Sequence, residues 1–228
     1  MRIGLIVAMT TELEQLLQVL EVNTTTEVNH LKFFECTKDN GTEIVLAKSG
    51  IGKVNAAIGT LELINRYHPD VIISTGVAGG IDQSLDVMDI VASSKLVYHD
   101  VDCGEGNEPG QVQDMPIYYD GDRTILDKIQ GCYAECHIHE GLICTGDQFI
   151  SDKDALAKIK AIQPDALAVD MESCAIAQTC FLYNVRFVSL RIISDIPGKE
   201  DQIATYNNFW QTMAEKSFAA TKRILQLL

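Results

Sequence analysis

The 228-residue chain predicts an α/β fold: one domain, built on a twisted mixed sheet, largely parallel, with helices on its faces. Three observations carry this. Short apolar runs recur from one end of the sequence to the other, amphipathic helical patterns lie between them, and no repeat, low-complexity tract or linker breaks the alternation. The length suffices for one full core.

Taken in order, strands are expected over 3–8, 42–47, 71–75, 87–93, 142–145, 166–169 and 187–193. Several lack polar alternation, as strands covered on both faces do. The first helix follows the first strand, because Leu13, Leu16, Leu17 and Leu20 form an i, i+3, i+4, i+7 stripe. Thr11 and Glu14 offer it a capping box. Further helices are expected over 53–67, 152–162, 172–183 and 207–228, and the Gly- and acid-rich stretch 104–116 reads as an exposed loop.

Composition narrows the function. A formal charge of −14 repels phosphate backbones, so nucleic acids are not expected partners. No apolar run approaches membrane-spanning length, and the chain opens on a strand pattern rather than a secretory leader. With seven cysteines and no leader, a reducing cytoplasm is expected. Cys132, Cys136, His137 and His139 cluster, but without a zinc-site spacing, so no metal is expected there. Cys174 and Cys180 fall in an apolar helix and read as core.

In open α/β sheets ligands bind beyond the carboxyl ends of the strands. The first apolar run is followed by Glu12, the sixth runs into Asp170-Met171-Glu172, and the seventh ends Ser194-Asp195. Three strands thus deliver acids to one edge. Capping of the following helices is the plainer explanation of any one acid. A guanidinium inside the seventh run, Arg191, must be paired or functional, and one structural ion pair leaves the other acids unexplained. Two glycine-rich stretches remain. Residues 49–54, SGIGKV, have the wrong spacing for a phosphate loop, with Val54 where Ser or Thr would bind magnesium. Residues 76–80, GVAGG, let a ligand approach the backbone but do not match the dinucleotide pattern. Each is otherwise a tight turn.

The motifs MRIGLIVAMTTE (1–12), KSGIGKV (48–54), TGVAGG (75–80), YHDVD (98–102), GDQFI (146–150), VDME (169–172) and RIISD (191–195) occur in register along the whole chain. Together they resemble the 5′-methylthioadenosine/S-adenosylhomocysteine nucleosidases of the purine nucleoside phosphorylase-like superfamily. The resemblance implies a homodimer acting on a small nucleoside, with no cofactor. It implies that Glu12 orients a water toward the anomeric carbon and that Asp195 delivers a proton to N7 of adenine. Met171 and Glu172 would hold the ribose hydroxyls, with Arg191 supporting the water or ribose side. Phe149 would stack on the base, the backbone of Ile150 would read its edge, and Ile51 would line the pocket for the 5′ substituent. Val77, Ala78 and Gly79 belong to a ligand-lining loop, and Val169 and Ser194 to the motifs carrying the acids.

The chain departs from the family pattern at Val77, where Ser is usual, and at Gln113, where Pro is common. Residues 103–108, CGEGNE, lack the aromatics that help form the alkylthio pocket across the dimer; Tyr206 is a candidate replacement. Three rivals stay open: a phosphorylase of the same superfamily, a nucleosidase for another 5′-modified nucleoside such as futalosine, and a silent nucleoside-binding sensor. Glu12 would repel phosphate, the acids at 100, 102, 105 and 108 would disfavour an extra carboxylate, and a sensor has no need of Glu12 with Asp195.

Overall fold

A computed structural model describes residues 1–197 and 201–228, and of 212–219 the backbone alone. The chain opens with β1 (Arg2–Val7), α1 (Thr10–Leu17), the hairpin β2 (Thr24–Val28) and β3 (Leu31–Thr37), β4 (Glu43–Lys48) and α2 (Lys53–Tyr67). The middle holds β5 (Val71–Gly80), β6 (Ile90–Tyr98), the short β7 (Tyr119–Asp120), α3 (Arg123–Ile129) and β8 (Ile138–Thr145). α4 (Lys153–Ile162), β9 (Ala166–Asp170), α5 (Ser173–Leu182), β10 (Arg186–Asp195), α6 (Gln202–Asn208) and α7 (Ala214–Leu227) complete it.

One mixed sheet joins all these strands. β4, β1, β5 and β10 are mutually parallel, as are β6, β8 and β9; the two sets meet antiparallel at β10–β6 and at β5–β9. The path β5, β10, β6, β8, β9 therefore closes on itself, a distorted barrel with β1 to β4 as a flange. Register fixes where a ligand can enter. β1 pairs with β5 only as far as Ser74, and β9 pairs with β5 only at Gly79 and Gly80. Between them β1 and β9 have both ended, and the edge of β5 at residues 75–78 is open. Glu12 and Glu172 follow strand ends that converge there, and Asp195 is itself the last residue of β10.

Two apolar layers hold the sheet. Ile3, Leu5 and Val7 face one side with Leu16 of α1, Ile125 of α3 and Ile224 of α7. Ile6 faces the other with Leu63 and Ile64 of α2 and Cys174, Ile176 and Cys180 of α5. The alternation along β1 is the period-two geometry of a strand buried on both faces.

Several boundaries differ from the sequence expectation. The strand expected over 87–93 begins at Ile90 and runs to Tyr98, because the preceding residues turn: Met88 takes φ 84° and Asp89 N–H donates to Asp86 O at 3.1 Å. α1 is capped at Met9, with Glu12 at its third position accepting from Met9 N–H at 2.9 Å. The Thr11–Glu14 box does not form. The glycine stretch 76–80 is the second half of β5 rather than a turn. The C-terminal helix starts earlier and is broken: α6 passes through a wider π turn, Phe209–Met213, into α7. The β2–β3 hairpin, β7 and α3 were not expected. The hairpin turns through Asn29 and His30, both left-handed, without the Asn-Gly pair that usually announces such a turn.

Candidate active site

Glu12 is fully enclosed, and its carboxylate is held by backbone. Oε2 accepts from Ala8 N–H and Met9 N–H, each at 2.9 Å, and Oε1 accepts from Val77 N–H at 3.0 Å. Val77 lies in the open stretch of β5, so the carboxylate takes the place of a strand partner. Gly76 permits this: a Cβ there would overlap Glu12 Oε1 and sit 2.7 Å from Arg191 Nη1. Burial pushes the pKa of Glu12 up, opposed by the charge of Arg191 and by the three N–H donors.

Arg191 lies beneath the site with its charge spoken for. Its Nε meets Asp170 Oδ2 at 2.7 Å and donates to Ser173 Oγ at 3.0 Å; Nη2 donates to Ser74 Oγ at 3.0 Å and lies 3.8 Å from Glu172 Oε2. Burial works against the cation, but Asp170, Glu172 and Glu12 together push its pKa up. Asp170 is saturated in turn, accepting from Thr145 Oγ1 at 2.5 Å and from the Ser173 hydroxyl. Glu172 receives Gly52 N–H on Oε1 at 2.9 Å, and burial pushes its pKa up to about 7.

Asp195 ends β10, buried, with both oxygens engaged by side chains: Ser194 Oγ donates to Oδ1 and Gln202 Nε2 to Oδ2, each at 2.7 Å. Burial raises its pKa while these two donors oppose the rise. The ring of Phe149 stands half-exposed, edge-to-face with Tyr206 of α6 at 5.7 Å between centroids.

The acids and the aromatic rings meet at one cavity of about 130 Å³. Glu12, Glu172 and Asp195 share it with Phe149, Ile150 and Tyr206. Val77, Ala78 and Gly79 of β5 form a wall, with Val169, Met171, Ser194 and Ile51 around it. Of the expected site residues Arg191 alone is not in the lining. Ala8, Met9, Gln148 and Asp170 also line it, and Ser74, Thr145, Ser173, Ser189 and Gln202 support it from behind. Ala8, Met9, Gln148 and Asp170 stand in the motifs without a role of their own, and Gln202 and the hydroxyl residues lie outside them; hydroxyls in apolar runs carry no local signal of the residue they will meet.

In the 49–54 stretch the lysine is engaged by carboxylates. Lys53 Nζ is bound by Asp100 at 2.8 Å, and its backbone N–H donates to Asp147 Oδ1 at 2.8 Å. In the cysteine and histidine cluster, Cys132 Sγ is buried and donates to Ile129 O at 3.0 Å, while His139 Nε2 pairs with Asp89 at 3.2 Å. Among the described residues, no group of three His, Cys, Asp or Glu is arranged to hold a metal ion, and no helix is long and apolar enough to cross a membrane.

A model of the phosphorylase superfamily matches residues 2–226. A 5′-methylthioadenosine/S-adenosylhomocysteine nucleosidase of Chromohalobacter salexigens is 44% identical over 207 residues, spanning 89% of this chain and 88% of that protein. The chain belongs to this nucleosidase family. A Staphylococcus aureus member is 39% identical over 230 residues, covering 99% of this chain and 98% of its own. Among solved structures, the Colwellia psychrerythraea nucleosidase in complex with adenine superposes with a TM-score of 0.92 at 36% identity, covering 100% of this chain and 96% of that one. The Helicobacter pylori futalosine hydrolase has the same fold, with a TM-score of 0.91 at 26% identity, covering 100% of this chain and 98% of that one. The nucleosidase fold thus spans the whole chain, as the motifs imply.

Proposed function

We propose that this chain hydrolyses the N-glycosidic bond of 5′-methylthioadenosine and S-adenosylhomocysteine, releasing adenine and a 5-thio-substituted ribose. What carries the reading is the meeting of three separately held carboxylates, Glu12, Glu172 and Asp195, in one cavity beside an aromatic face. Relatives at 39–44% identity carry this activity in their names, and solved relatives hold adenine.

Breaking the bond develops positive charge on the ribose and negative charge on the purine. Glu12, ionised, accepts a proton from the water that attacks the anomeric carbon. The electron pair of the C–N bond passes to the purine, whose N7 takes the proton of Asp195. Glu172 and Met171 hold the ribose hydroxyls, Phe149 covers the base, and Ile150 reads its edge. Arg191 acts through Asp170 and Glu172, holding the latter's charge in place. Each acid or base contributes typically ~10²–10⁴-fold.

The protein works as a homodimer in the cytoplasm in this reading, consistent with seven unpaired thiols. The test is incubation with methylthioadenosine, adenosylhomocysteine, futalosine and inosine, with and without phosphate. Adenine and 5-methylthioribose are expected from methylthioadenosine independently of phosphate, with inosine a poor substrate. Formation of a ribose 1-phosphate overturns the hydrolase, and preference for futalosine overturns the substrate.

A further inference from the structure

Gln202 opens α6 with its side chain buried, only 3% of the residue being exposed. Its single amide nitrogen lies 2.8 Å from Ile150 O and 2.7 Å from Asp195 Oδ2. The carbonyl of Ile150 can only accept, so the atom facing it is the nitrogen, and the orientation of the amide follows from its partner. Both N–H bonds are directed, one to the 148–150 loop that lines the base side of the cavity and one to the acid.

The two oxygens of Asp195 are thereby made unequal. Oδ1 meets a hydroxyl, that of Ser194, which also lies 3.4 Å from Ala78 O. A hydroxyl can donate to Oδ1, or turn its hydrogen to Ala78 O and accept from a protonated Oδ1. Oδ2 meets an amide NH₂, which can only donate. We propose that Gln202 is a positioning residue for the general acid: it keeps Oδ2 free of the proton, assigns the proton to Oδ1, and clips α6 to the base-reading end of the cavity. This rests on the role of Asp195 proposed above. When the proton has passed to the purine, the carboxylate left behind finds the Gln202 donor already in place, and the Ser194 hydrogen turns back to Oδ1.

Among the described residues, the titratable groups sharing the cavity with Asp195 are Glu12 of α1, Asp170 of β9, Glu172 at the head of α5 and Tyr206 of α6, with Arg191 of β10 beneath. The cavity residues of β5 and of the 148–150 loop carry no charge. Gln202 is thus one of two donors opposing the effect of burial on this acid. Its removal has a definite sign. Without it the carboxylate is less favoured and the acid holds its proton to higher pH, so the alkaline limb of kcat moves up while the plateau falls.

The experiment measures kcat and KM for methylthioadenosine against pH in wild type, Gln202→Met and Gln202→Glu. Met fills the buried slot without a donor. Glu keeps the shape, sets a second carboxylate against Asp195, and carries the same measurement if the Met variant is unstable. A fall in plateau kcat of about 10- to 100-fold is expected from loss of a bond to a charged group. An upward shift of the alkaline limb is expected in both variants, larger for Glu because two facing carboxylates share a proton. Folded variants whose alkaline limb stays at the wild-type pH, whatever their stability or KM, overturn the proposal. Wild type that releases no adenine overturns instead the reading on which it rests.

Discussion

At the scale of residues the site is a set of acids whose surroundings differ in kind. Glu12 accepts from three backbone N–H groups and Asp195 from two side chains. Capping, the plainer reading of both from sequence, describes part of Glu12, which does take the N–H of Met9. It does not describe Asp195, whose partners are Ser194 and Gln202. Asp195→Asn should therefore lower kcat by at least the ~10²–10⁴-fold typical of a lost general acid, with a far smaller change in binding. Glu12→Gln should do likewise through the water. Near-normal turnover in a folded Asp195→Asn protein would remove that residue from the mechanism. Glu172 gives a second prediction, of stability. Its pKa rises from 4.5 in an ordinary carboxyl to about 7 in the folded protein, so the native state binds the proton more tightly than the unfolded chain. Its contribution is fully present below the unfolded value and is lost as pH rises through about 7. Between pH 8 and 6 the free protein should gain roughly 1 kcal/mol from this one group, a rise of a few degrees in Tm. Thermal melts of wild type and Glu172→Gln test this, since the variant should lose that part of the slope.

Elements explain how acids so distant in sequence meet. The sequence places Glu12, Glu172 and Asp195 each after a strand, and the strand ends were legible because buried runs of Val, Ile and Leu stop abruptly at polar residues. Register was not legible. That β1 stops at Ser74 of β5, and that β9 returns antiparallel at Gly79 and Gly80, depends on long-range pairing that no local pattern encodes. The β2–β3 hairpin was missed because its residues are mostly polar or exposed and its turn lacks glycine. The loop before α2 shows an element serving the site at one remove. Gly52 N–H holds Glu172, and Gly59, nearly two turns into α2, lies against Ser49 of the same loop, where a Cβ would come within 2.8 Å of Ser49 Cβ and 3.0 Å of its Cα. Gly59→Ala gains about 1 kcal/mol of helix propensity but forces backbone apart, at a cost of about 1–3 kcal/mol. A lower Tm with a raised KM is expected, the latter because Gly52 shifts relative to Glu172. A variant more stable than wild type with unchanged KM would show that the loop gives way freely.

At the scale of the whole molecule, an apolar face on α2 is left uncovered. Val54 and Ile58, one turn apart on α2, are 70% and 52% exposed, beside Ile51 at the cavity and with Phe181 and Leu182 exposed on the neighbouring α5. An apolar patch at the mouth of a site suits burial against a second copy. Val54→Asp with Ile58→Asp should yield a monomer by light scattering at micromolar concentration, with KM raised more than kcat is lowered. A dimer that survives both charges places the interface elsewhere, the 101–116 loop being the next segment to alter. The sequence by itself determined the α/β class, the positions of most buried strands and helices, and which acids end them, because hydrophobic periodicity and strand-end polarity are local properties. Only the tertiary structure decided that the strands close into a barrel, that Glu12 fills the vacant edge of β5 opposite Val77, that Asp170 takes most of the charge of Arg191, and that Gln202 meets Asp195. Each of these joins groups from separate elements, and which groups meet is set by strand register and helix packing, properties of the whole chain that no short window of sequence contains.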